Sequence, residues 1–209
     1  MVNNPNWNKG KTEWFKTIKS WILTPEPENI LKVSIFFDFR NVFGDKTLEE
    51  ELRQKIFELT EREELFVAYM LKDAIRFKPP LGLFGRLKRE EKGVDLKKGG
   101  IFPITQGIRA LALKYKVSKT NTLQRMEKLR DMGVLYKELY DNLREAFLLL
   151  QELRLKSQIN KLQRGETPDN YVNPEELTKI EKDLLKDAFK VVEEFQNFIN
   201  TKYLSYIPR

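Results

Sequence analysis

The sequence predicts an all-α fold, a helical bundle of about seven to eight helices interrupted by one long basic loop. Three observations carry that prediction. Apolar residues recur at helical spacing along nearly the whole chain. Capping residues, prolines and glycines sit where those periodic segments begin and end. No segment finds an obvious partner strand. With 209 residues, 41% of them hydrophobic and 33% charged, the chain can bury roughly 70% of its unfolded surface in one domain.

The first periodic segment places Trp14, Ile18, Trp21 and Ile22 at i, i+4, i+7 and i+8, with Thr12 and Glu13 at its start and Pro25 as its stop. Residues 28–39 hold Ile30, Leu31, Val33, Ile35, Phe36, Phe37 and Phe39. Their periodicity fits a helix, although 33–39 alone would also suit a buried strand. Thr47 as N-cap with Glu50 three residues on forms a capping box for a helix to about Thr60. Residues 63–77 carry Leu65, Phe66, Tyr69, Met70 and Ala74, and Pro79-Pro80 ends that helix. Between there and Gly100 lies an irregular stretch long enough to suggest function. Helices resume at 103–115 and at 120–132, the latter closed by Gly133 at C′. Residues 136–163 form a long helix with Leu139, Leu143, Phe147, Leu150, Leu153 and Ile159 on one side, ended by Gly165. A polar loop, 166–173, leads to a last helix over 174–203, with Asn173 as N-cap, Pro174 at the first position and Glu176 completing the box. No internal repeat appears, so the expected organisation is a tail, 1–10, and one helical domain, 11–207.

Lysine and arginine number 38 against 31 aspartates and glutamates, giving +7 and a pI near 9.4. Such an excess suits anionic ligands without specifying one. The chain has no cysteine and no histidine, which excludes disulfides, thiolate metal sites and imidazole chemistry. It contains no run of 18 apolar residues, and its polar opening lacks the regions of a signal peptide, so the expected location is cytoplasmic. Walker, Rossmann and nucleophile-elbow patterns are absent. Carboxylate pairs such as Glu49 with Glu51, or Asp183 with Asp187, read as helix-surface charges among lysines rather than as metal ligands.

The charge bias is concentrated. Residues 72–98 contain nine basic side chains against four acids, a local +5 out of +7. From this stretch Arg76, Lys78, Arg86, Lys97 and Lys98 are candidates to bind an anion, and Gly99-Gly100, directly before a predicted helix N-terminus, could present backbone N–H groups to it. A solvated loop that serves only solubility reads equally well. Asp38 and Arg40, embedded among aromatics, either pair with each other to hold structure or face a ligand cleft. Arg109, and Asn121 with Arg125, are weaker candidates because each suits a solvated or capping place.

Five phrases together resemble a known family: SIFFDFR at 34–40, RFKPPLGLFG at 76–85, DLKKGGIFPI at 95–104, TNTL at 120–123, and LREAF at 143–147 with LRL at 153–155. They are similar, in order and over about 6–203, to the nucleotidyltransferase substrate-binding domain that follows a nucleotidyltransferase-like domain in signalling proteins often carrying CBS pairs. The resemblance implies an all-helical domain packed against a catalytic domain of the type associated with PII-uridylyltransferase. The family's catalytic Gly-Ser turn and Asp-x-Asp pair have no counterpart here, so no catalytic residue is expected. Mg2+ and a nucleoside triphosphate would belong to that partner domain, on the same or a separate chain. The segment around 3–14 reads as a domain junction. Asp38, Arg40, Arg76, Lys78, Arg86, Lys97, Lys98, Gly99, Gly100 and Arg109 are then expected to bind a nucleotide or phosphorylated ligand. The alternative is a regulatory interaction module that relays CBS-type sensor signals. A membrane role is not expected, and nucleic-acid binding is disfavoured because no recognition helix or stacking sheet is evident.

Overall fold

The computed structural model describes residues 4–82, 85–88 and 90–205. Among them are eight α-helices, as the periodicity requires: α1 (Lys11–Leu23), α2 (Pro27–Phe36), α3 (Thr47–Arg62), α4 (Glu64–Ala74), α5 (Phe102–Lys114), α6 (Thr122–Asp131), α7 (Lys137–Gln163) and α8 (Lys179–Ile199). The architecture is an all-α helical bundle. α7 and α8 lie along each other as its longest pair, α4 packs along α5, and α1 packs on α2 and α3. Ile104, Ile108, Leu111, Leu150, Phe189, Val192, Phe195 and Ile199 meet at the centre, all excluded from solvent. Burying each such side chain stabilises the fold by about 1.5–3 kcal/mol. Gly107 permits the close approach of α5 to α8, since a Cβ there would stand 2.6 Å from Phe195.

The termini of the elements differ from the sequence reading in instructive ways. The 33–39 run is helical only to Phe36. The backbone N–H groups of Asp38 and Phe39 then bond three residues back, to Ile35 and Phe36, and the chain unwinds. Thr47 is not the cap of α3. Lys46 is the N-cap, without a side-chain bond of its own, and the Asp45 carboxylate just before it accepts from the Thr47 backbone N–H and hydroxyl, each at 2.8 Å. α1 likewise starts earlier than Thr12 suggested, with the Glu13 carboxylate accepting from the Gly10 N–H at 3.0 Å.

At the other end, Asn173 and Pro174 initiate only a single turn, Pro174–Glu176. Leu177 turns extended and is buried, which breaks the expected continuous helix. α8 then begins anew behind Thr178, in a capping box with Glu181. A strand pair also exists that the sequence did not disclose. β1 (Val94–Asp95) runs antiparallel to β2 (Tyr171–Val172). It is too short for any periodicity to reveal. Within the first ten residues, Trp7 packs with Trp14 and Trp21 at centroid distances of 6.1 and 6.2 Å. No helix among the described residues is long and apolar enough to cross a membrane.

Candidate functional site

The irregular stretch after α4 closes on itself to form a cleft of about 530 Å³. One wall is the segment that leaves α4, bearing Arg76, Phe77, Lys78, Pro79 and Pro80. The other consists of Lys88, Glu90, Gly93 and Asp95, and the floor is a π-helical turn, Lys97–Ile101, that contributes Lys98 and Gly99. Short local contacts shape the loop. Lys88 N–H donates to the Pro80 carbonyl and Gly82 N–H to that of Arg86, at 2.8 and 2.7 Å. Gly93 has φ of 114°, and a Cβ there would lie 2.4 Å from the Val172 carbonyl oxygen, so no other residue fits against β2.

The cleft carries four cations and two carboxylates, a net positive lining. The Phe77 ring supports two of the cations, with the Arg76 guanidinium 4.4 Å and the Lys98 ammonium 5.2 Å from its centroid. Among the described residues, Lys78, Lys88 and Lys98 have no carboxylate partner, while Arg76 lies 3.4 Å from Asp73. Burial pushes the Asp73 carboxyl above its ordinary range, offset in part by Arg76. The two acids of the lining are engaged: Asp95 accepts from the Lys98 backbone N–H at 2.8 Å, and Glu90 accepts from the Tyr171 hydroxyl at 3.2 Å. That bond to Glu90 holds the Tyr171 phenol above its ordinary range. Cationic side chains of this kind suit an anion better than a neutral guest.

A second polar assembly lies behind the cleft. Asp38 accepts from Arg109 Nε and Nη2 at 3.1 and 2.6 Å, and its other oxygen is 2.6 Å from Arg125 Nη2. Arg125 is only 1% exposed, and its Nε donates to the Lys119 carbonyl at 2.5 Å. Burial lowers its pKa, countered by Asp38. Arg53 donates to the carbonyls of Phe37 and Phe39 and pairs with Glu49. This clasp ties the end of α2 to α3, α5 and α6. It also reaches the cleft, because Arg109 donates to Gln106, whose amide donates to Asp73 at 3.4 Å beside Arg76.

The ten residues singled out from the sequence therefore separate. Arg76, Lys78, Lys98 and Gly99 meet at the cleft. Gly100 sits behind it in the core, where a Cβ would stand 2.7 Å from Leu150. Both glycines precede α5 as expected, but they lie inside the π-helical turn Lys97–Ile101 that leads into it, where the Asp95 carboxylate accepts from the Lys98 N–H. Lys97 and Arg86 are exposed and do not line the cleft. Asp38 and Arg109 belong to the clasp, and Asp38 pairs with Arg109 and Arg125 rather than with Arg40. Arg40 points away into an exposed hollow with Phe43 and Asp45. Lys88 joins the cleft although the sequence marked it only as part of a basic run, and Arg89 in the same run lies outside the described residues. Gln106 and Arg53 carried no signal, since one polar residue in an apolar helix does not reveal its partner. No group of carboxylates among the described residues could hold a metal ion.

A family model described as "Putative nucleotidyltransferase substrate binding domain" matches residues 64–203, which contain the whole cleft and Arg109 and Arg125 of the clasp. Neither a curated protein nor a solved structure matches the chain.

Proposed function

The chain belongs to the family of nucleotidyltransferase substrate-binding domains, and from that premise we propose that its cleft receives the negatively charged part of the substrate of a uridylyltransferase-like catalytic domain. The convergence of Arg76, Lys78, Lys88 and Lys98 on one cleft is the observation that carries this reading. A phosphate chain entering there would take charge-assisted hydrogen bonds from ammonium and guanidinium groups, with Phe77 fixing two of the cations in place. Holding the ligand in one orientation is the contribution a non-catalytic domain makes to phosphoryl chemistry. Mg2+ and the reacting nucleotide would enter with the catalytic partner.

Calorimetric titration with UTP and with inorganic triphosphate tests the reading. Binding is expected at low ionic strength, with Arg76→Ala and Lys98→Ala each weakening it by roughly tenfold and Lys97→Ala changing it little. Titration curves unchanged in both cleft variants would overturn the proposal.

A second reading, an interaction module that relays CBS-type sensor signals, draws on the loop tip where Val42 is 86% and Phe43 97% exposed. Calorimetry against the catalytic domain, with and without nucleotide, separates the two. Nucleotide-independent association that Phe43→Ser abolishes favours the relay.

A further inference from the structure

We propose that Gln196 is the positioning residue of the cleft, fixing the backbone that carries Arg76 and Lys78 without touching the ligand; the inference rests on the cleft being the anion site. Gln196 lies on α8, 2% exposed, next to the core residue Phe195. Its Nε2 donates to the Phe77 carbonyl at 2.8 Å and to the Ala74 carbonyl at 3.3 Å. Ala74 is the last residue of α4, and last-turn carbonyls have no partner within their own helix. The Phe77 carbonyl lies three residues on, in the cleft wall, flanked by Arg76 and Lys78. One amide thus spans the point where the chain leaves the helix and turns along the cleft.

The chemistry suits a glutamine. Two N–H bonds on one nitrogen match two carbonyl acceptors, and a neutral amide avoids the burial cost that a lysine or arginine would incur there. The only ion pair on this wall among the described residues, Arg76 with Asp73, involves a guanidinium that is 60% exposed, so it does not fix the backbone. The opposite wall has its own anchors: Leu96 N–H donates to the Asn170 carbonyl at 3.0 Å, and β1 pairs with β2. Gln196 therefore acts first on Arg76 and Lys78, which flank the carbonyl it holds, whereas Lys88 meets this wall only farther on, through its N–H bond to the Pro80 carbonyl.

A double-mutant cycle with inorganic triphosphate, read by calorimetry, tests this. Gln196→Met is expected to weaken binding by roughly tenfold in the wild-type and Lys88→Ala backgrounds, and by less than about threefold once Arg76 is already alanine. A residue that merely supported the fold would show the same effect in all three. Equal effects, or a Gln196→Met protein that binds as the wild type does, would overturn the inference. Absence of binding in the wild type would overturn the reading of the cleft and the inference with it. Should Gln196→Met fail to fold by circular dichroism, the wild-type nuclear magnetic resonance spectrum decides. The Gln196 side-chain amide is expected to shift with the Arg76 and Lys78 backbone amides as triphosphate is added, and a stationary amide overturns the idea.

Discussion

Asp38 stands between two guanidiniums, one of them almost wholly buried, and its removal would leave Arg125 charged with no carboxylate partner among the described residues. Breaking a pair in this way usually costs more than the pair contributes, so Asp38→Ala should lower unfolding free energy by about 3 kcal/mol in urea titration. Asp38 was legible as a residue that needs a partner, because a carboxylate among three phenylalanines and an isoleucine cannot stay unpaired. The partner was not legible. Arg40 is the nearest cation in sequence, but α2 ends at Phe36 and the chain carries Arg40 outward, while Arg109 and Arg125 arrive from helices some seventy and more residues away. Gly100 teaches the same lesson from the opposite side. Its place in a basic, glycine-bearing phrase suggested phosphate contact, whereas its missing side chain is what lets the turn press on Leu150 and Phe189. Gly100→Ala should therefore destabilise the fold by about 1–3 kcal/mol through overpacking, measured by urea titration.

Among the elements, α8 shows how local signals can mark a boundary and still misplace it. Asn173-Pro174 and Thr178 with Glu181 are both valid starts, and burial of Leu177 between them decides that the long helix begins at the second. Thr178→Ala should cost about 1 kcal/mol, seen as a lower melting temperature, whereas Asn173→Ala should matter less because it caps one turn. Glu181 also accepts from Lys156 of α7 at 2.5 Å. That bond, followed by those from Thr178, depresses its carboxyl pKa from about 4.5 to about 2. A carboxyl depressed on folding contributes stability that is full above the unfolded value and lost as pH falls through the folded one. Unfolding midpoints should accordingly decline between about pH 4.5 and pH 2, and Glu181→Gln should flatten that decline.

Taken whole, the molecule has no histidine and no cysteine, so no side chain with an ordinary pKa near neutrality exists to make its stability respond there. Urea midpoints measured at pH 6, 7 and 8 should coincide, and triphosphate affinity should instead fall steadily as salt is raised, since its source is long-range charge. The sequence by itself determined the all-α class, the approximate helix boundaries and the location of the surplus charge. These follow from periodicity, caps and composition, each a property of neighbours along the chain. Tertiary structure alone decided which cations face one another, that Lys88 lies across from Arg76 and Lys78, and that Asp38 closes on Arg109 and Arg125. It also decided that an amide on α8 holds the exit of α4. The reason is distance along the chain: partners tens of residues apart meet only when helices pack, and no local pattern encodes which faces will touch.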